Sequence, residues 1–144
     1  MMFSKTCKYA LNAMIFVASL PEGKNRAGLR EISKAINSPE AFTAKILQQL
    51  VRGELLHSAK GPHGGFAVHG NSQSITIAQI VASIDGDMVF TGCALGLKKC
   101  SEIRPCPVHH KFKAVRDHLK SMLLTTNLKD VANRVNDGTS FLKD

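Results

Sequence analysis

The apolar residues near the start of the chain recur at helical spacing. Tyr9, Ala10, Ala13, Met14, Phe16, Val17 and Leu20 gather on one side, and Asn12 interrupts the run. This pattern predicts an amphipathic helix over about 6–19 rather than an export segment. Residues 21–28 carry a proline and two glycines and almost nothing apolar, so they read as a loop. A short helix is predicted over 29–36, burying Leu29, Ile32, Ala35 and Ile36. Ser38 is placed to cap the next helix, with Pro39 at its first position and Glu40 near its positive end. That helix should run over 39–52 with Phe42, Ile46, Leu47 and Leu50 inward, and Gly53 ends it.

Two short strands follow, over 55–58 and 66–69. The seven residues between them include three glycines and a proline, the composition of a hairpin tip. Two helices joined by a tight turn and followed by a hairpin describe a winged helix-turn-helix. Thr76 and Gln79 form a candidate capping box for a further helix, whose apolar face is Ile77, Ile80, Val81 and Ile84. After a glycine-, proline- and lysine-containing loop, a long helix over about 109–124 places Phe112, Val115, Leu119, Met122 and Leu123 at three- and four-residue spacing. Its other face holds Lys111, Lys113, Arg116, Asp117 and Lys120. A last short helix starts near Thr126, and the chain from Asn136 onward reads as a frayed end. The fold class expected is mainly α with a small β-hairpin wing (α+β). The division expected is a DNA-binding domain over 1–84, a cysteine-rich loop over 85–108, and a helix with its tail over 109–144.

Charge sharpens the picture. The 144 residues carry a formal net charge of +8, and the excess leans toward the first half. A basic helix-turn-helix domain attracts the phosphate backbone of double-stranded DNA. On the second helix of the pair the polar positions read as outward are Glu40, Thr43, Lys45, Gln48 and Gln49. Lysine can bind guanine or phosphate, and glutamine can pair with adenine in the major groove. Lys60, with Gly61, His63 and Gly64 around it on the wing tip, is placed to reach a phosphate or the minor groove. Taken singly, each of these is equally an ordinary solvated side chain.

Three of the four cysteines share one segment with a histidine: Cys93, Cys100, Cys106 and His109, spaced C-x6-C-x5-C-x2-H. Thiolates with an imidazole suit an iron–sulfur cluster or a closed zinc site, and clustered free thiols can also act as a redox switch. Lys98, Lys99 and Arg104 lie between the cysteines and would favour their thiolate forms. Cys7, alone on the first helix, reads as a small core residue. The reducing compartment in which such thiols persist is the cytoplasm, and no apolar run is long enough to cross a membrane. A Cys–His pair could serve as a nucleophile, but nothing supplies an orienting third group or an oxyanion turn, so no enzyme is expected.

Tyr9-Ala10-Leu11, Ile32-Ser33, Phe42, Ile46-Leu47-Gln48-Gln49-Leu50 and Gly53 resemble the IscR/NsrR/BadM family of bacterial winged-helix regulators. So do the wing Ser58-Ala59-Lys60-Gly61-Pro62-His63-Gly64-Gly65-Phe66, then Ile75-Thr76-Ile77, and Cys106-Pro107-Val108-His109. The likeness spans nearly the whole chain. It implies a homodimer joined through the long C-terminal helix, binding a near-palindromic operator, most commonly as a repressor. It also implies a cluster on Cys93, Cys100 and Cys106, with His109 at the position of the histidine ligand of members carrying a two-iron, two-sulfur cluster. A four-iron, four-sulfur cluster and zinc are the other centres open to this donor set. Nitric oxide, redox state and iron–sulfur status are the implied signals. Members with an acidic ligand place it just before the N-terminal tyrosine, where this chain has Lys8. Cys7 and His110 are the rivals to His109. Two departures stand out: the first spacer has six residues rather than five, and Ala44 replaces the mid-helix acidic residue that tunes operator choice.

Overall fold

The computed structural model describes residues 2–144. Helix α1 (Lys5–Ala18) begins at Ser4, whose hydroxyl accepts the Cys7 backbone N–H, satisfying one of the free donors of the first turn. Its inner positions, Cys7, Ala10, Ala13, Met14, Ile15 and Val17, are buried. Helix α2 (Leu29–Ala35) and helix α3 (Glu40–Arg52) pack on one another and on α1. Asn37, with φ of 53°, makes the left-handed step that reverses the chain between them. The start of α3 lies one residue later than the sequence suggests. Pro39 is the cap residue and offers no side-chain acceptor, while the Ser38 hydroxyl is buried without a partner.

The wing pairs β1 (Leu56–Ala59) with β2 (Gly65–Val68) in an antiparallel ladder running from Leu56↔Val68 to Ala59↔Gly65. A bridge between Ala27 and Phe66 adds a third contact: the Ala27 N–H donates to Phe66 O at 3.0 Å and the Phe66 N–H to Ala27 O at 2.8 Å. The wing is thereby fixed to the segment that leads into α2. Gly65 sits in this clasp with φ of +125°, and a Cβ there would come within 2.7 Å of the Ala27 carbonyl oxygen.

Helix α4 (Ile77–Asp85) carries the capping box foreseen for Thr76 and Gln79, and Gly86, with φ of 70°, closes it. A four-residue helix, α5 (Met88–Thr91), precedes the cysteine loop; the sequence pattern had not suggested it. Helix α6 (His109–Thr125) packs on α4 and α5, and α7 (Leu128–Asn136) returns to α1. The starts of α4 and α7 are tied together, with the Ile77 N–H donating to Thr126 O at 3.0 Å and the Leu128 N–H to Ile75 O at 2.8 Å. The tail does not fray freely: Leu142 packs on the core and Lys143 Nζ donates to the Lys34 carbonyl at the end of α2.

One expectation is corrected here. Thr43 is fully buried, not outward; its hydroxyl donates to Pro39 O at 2.9 Å, which satisfies it inside the first turn of α3. The apolar row of α6 is mostly not buried within the chain. Leu123 is, and Leu119 is half-buried, but Phe112, Val115 and Met122 are 50%, 66% and 47% exposed.

The glycines of the wing make a graded test. Gly65→Ala should destabilise the fold by about 2–3 kcal/mol through combined strain and clash. Gly61→Ala, which meets open space but keeps φ of +95°, should cost about 1 kcal/mol. Urea unfolding of the two variants measures the difference, and equal midpoints would contradict the clasp.

Candidate metal centre and nucleic-acid interface

The cysteine loop is held at both ends. Before it, the Gly92 N–H donates to Met88 O at 2.8 Å, and its carbonyl accepts from Arg116 Nη1 of α6 at 2.9 Å. Gly92 admits no side chain, since a Cβ would stand 2.6 Å from the Met88 carbonyl oxygen. After it, the His109 N–H donates to Cys106 O at 3.0 Å as α6 begins. Cys93, Cys100, Cys106 and His109 all line one cavity of about 540 Å³ between the loop and α6.

His109 is 3% exposed. Its Nδ1 lies 3.2 Å from Cys100 Sγ, and its Nε2 is buried with no hydrogen-bond partner. A buried ring nitrogen left unpaired is costly unless something else engages it. The rival His110 meets the His109 ring edge-on but is exposed and does not line the cavity. Backbone N–H groups of Leu97, Leu95 and Gly96, with the Cys106 thiol, hold the Cys93 thiol below its ordinary pKa, because each stabilises a thiolate. Among the described residues no group of three or more His, Cys, Asp or Glu side chains is already arranged to hold a metal ion. The donors therefore fit a soft metal centre in type and in common location, and the loop would have to close on α6 to bring them together.

Cys7 is a different kind of thiol. It is fully buried in α1, and burial, with the Asp85 carboxylate beside it, pushes its pKa up to about 12. Asp85 is meanwhile bonded to Ser4, accepting from its N–H at 2.9 Å and from its hydroxyl. Cys7 is neutral, enclosed and absent from the cavity, so within one chain it is not a competitor for His109.

Helix α3 exposes Glu40, Lys45 and Gln48, with Gln49 half-buried. Ala44, Lys45, Gln48, Gln49 and Arg52 line one shallow concavity. Arg52 belongs to this surface and was missed from the sequence, although its i+7 spacing from Lys45 is a readable signal. Glu40 pairs with Arg30 of α2 at 3.3 Å, an exposed contact of small energetic weight. The wing tip turns through a Gly64 N–H to Gly61 O bond of 2.9 Å, leaving Lys60 and His63 exposed. At Gly64 a Cβ would come within 2.3 Å of Ala59 O, so that glycine serves the turn itself. Arg26, also missed, supports the wing: its Nη1 reaches His57 Nδ1 at 3.3 Å and Gly65 O at 3.4 Å.

The profile of the Rrf2 family, described as iron-dependent transcriptional regulators, matches residues 3–134. The chain belongs to the Rrf2 family. An Aquifex aeolicus chain named for an HTH-type transcriptional regulator is 34% identical over 138 residues, covering 92% of each. The regulator IscR of Photorhabdus laumondii is 24% identical over 126 residues, 88% of this chain and 76% of its own. In fold, the chain is similar to CymR (YrzC), the global cysteine regulator of B. subtilis, with a TM-score of 0.76 and 23% identity over 91% of this chain and 95% of that one. It is also similar to IscR of T. potens, with a TM-score of 0.74 and 15% identity over 96% and 90%. The Rrf2 chain is thus a winged-helix transcription regulator and not an enzyme, and no helix among its described residues is long and apolar enough to cross a membrane.

The contrast between the thiols is measurable. At pH 8 iodoacetamide should modify Cys93, Cys100 and Cys106 in the native metal-free protein and spare Cys7 until the chain is unfolded. Because the Cys7 proton is held more tightly in the folded state, its contribution to stability is complete below the ordinary thiol value of 9.0 and is lost as pH rises toward about 12. Unfolding free energies of wild type and Cys7→Ala should therefore converge across that interval; a constant difference would contradict it.

Proposed function

We propose that this Rrf2 regulator binds a near-palindromic DNA operator as a homodimer, and that its grip answers to an iron–sulfur cluster held by Cys93, Cys100, Cys106 and His109. One observation carries the reading: three thiols and a buried histidine with an unpartnered Nε2 face a common cavity at the foot of α6. The resemblance to members with a histidine ligand favours a two-iron, two-sulfur centre, which would supply redox and nitric-oxide sensitivity when bound. Zinc is the rival for the same donors. A thiol switch without metal has its own support, since the three free thiols line one cavity.

The reader is assigned to residues 1–84, the sensing loop to 85–108, and the dimer contact with the tail to 109–144. Glu40, Lys45 and Gln48 would meet base edges or phosphates, and Lys60, Gly61, His63 and Gly64 would bring the wing to the backbone. Thr43, being buried, drops out of direct contact. The dimer assignment rests on Phe112, Val115, Leu119 and Met122, a 3-4-3 spacing whose members are exposed or half-buried in the single chain. Closing of the loop on α6 would alter how two such helices meet. A displacement of a few ångströms against a ~34 Å half-site repeat weakens operator binding. Repression from a cytoplasmic site is the simplest physiological setting.

Anaerobically purified protein should be brown, with visible charge-transfer absorption and inorganic sulfide. Its operator affinity at fixed salt should differ at least about tenfold from the apo form, a coupling of about 1.4 kcal/mol. Equal affinities defeat the switch, and a colourless protein with one zinc per chain supports the rival. Independently, Lys60→Ala should weaken binding to all sequences alike and lower the salt slope by about one. A loss confined to one operator sequence would contradict a backbone contact.

A further inference from the structure

We infer that Arg116 is the positioning residue and counter-ion of the cysteine site, an inference that rests on the proposed metal centre. Arg116 follows His109 by seven residues on α6, two helical turns along the same face. Its Nη1 donates to the Gly92 carbonyl at 2.9 Å, the last peptide oxygen before Cys93. Gly92 is gripped from the other side by its own N–H on Met88 O, and no side chain fits there. The first thiol of the loop is therefore launched from a fixed point on the helix that also carries the histidine.

The guanidinium has a second property. Its Nε is buried without a partner, and it lines the same cavity as Cys93, Cys100, Cys106 and His109. None of the residues lining that cavity is acidic, and among the described residues Arg116 forms no ion pair. Its neighbour Lys113 differs, being paired with Asp117 at 3.1 Å and Glu102 at 3.8 Å. A half-buried cation without a carboxylate, facing three thiols, is complementary to an anionic thiolate-bound centre. Its fixed charge would favour the more reduced state of that centre.

The test compares Arg116→Gln, Arg116→Lys and, as a control, Lys113→Gln. In the metal-free protein, amide hydrogen exchange over residues 92–97 should quicken about tenfold in Arg116→Gln, as expected for losing one charge-assisted bond. It should stay near wild type in Lys113→Gln. After anaerobic reconstitution with iron and sulfide, Arg116→Gln should show a lower midpoint potential, and Arg116→Lys, which keeps the charge, should recover most of that shift. Unchanged exchange at 92–97, or a midpoint potential that does not move, would overturn the assignment. If the wild-type chain takes up no iron, the metal-centre reading and the counter-ion role fall together. The exchange measurement then still decides whether Arg116 anchors the loop.

Discussion

Burial of α1 is the constraint on which the molecule depends. The reader, through α2, α3, β2 and α4, and the C-terminal part, through α7, all lean on this one helix. Its inner face runs from small residues to larger ones: Cys7, Ala10 and Ala13 let neighbours approach closely, and Met14, Ile15 and Val17 fill the space beyond them. A buried aliphatic side chain contributes roughly 1.5–3 kcal/mol, whereas an exposed ion pair such as Arg30–Glu40 contributes about 0–1 kcal/mol. Hydrophobic contact with α1, not surface charge, therefore sets where α3 stands relative to α4 and α7. The paired backbone segments at residues 75–77 and 126–128 make the return of α7 to that core part of the same unit.

The cysteine side is built on the opposite principle. Loop 92–108 contributes little to the core, and its shape is fixed mainly by polar contacts: the two bonds at Gly92, the N–H groups around Cys93, and the contact between Cys100 and His109. Segments of this kind rearrange at low free-energy cost. Unpaired atoms gather at the joint between loop and helix, namely His109 Nε2 and Arg116 Nε. A stable core with a polar, under-satisfied edge is an arrangement in which a bound group can change local geometry without unfolding the reader.

Much of this was legible in the residue pattern. Helical periodicity located α1 to α4, α6 and α7 to within a residue or two, because their apolar positions recur regularly and α1, α4 and α7 also carry side-chain caps. The wing followed from its glycines, and the Thr76–Gln79 box was read directly. The failures have physical causes. Thr43 looked outward because it is polar, but a threonine hydroxyl can satisfy itself on the carbonyl four residues back, leaving the methyl to pack. Ser38 looked like a cap, yet Pro39 took that position. The four-residue α5 is too short to show a period. The tail looked free because a single leucine and one lysine carry its docking. At the cysteine site, spacing indicated the donors, but the roles of Gly92 and Arg116 emerge only when loop and helix are brought together.

In the proposed sensor, three thiols and His109 would close around one iron–sulfur centre. Pulsed electron paramagnetic resonance of the reduced, anaerobically prepared protein addresses it directly. The spectrum should show a paramagnetic cluster signal with coupling to an imidazole nitrogen that disappears in His109→Ala. A reconstituted protein that stays diamagnetic and binds only zinc, or a cluster whose nitrogen coupling survives the loss of His109, would contradict it.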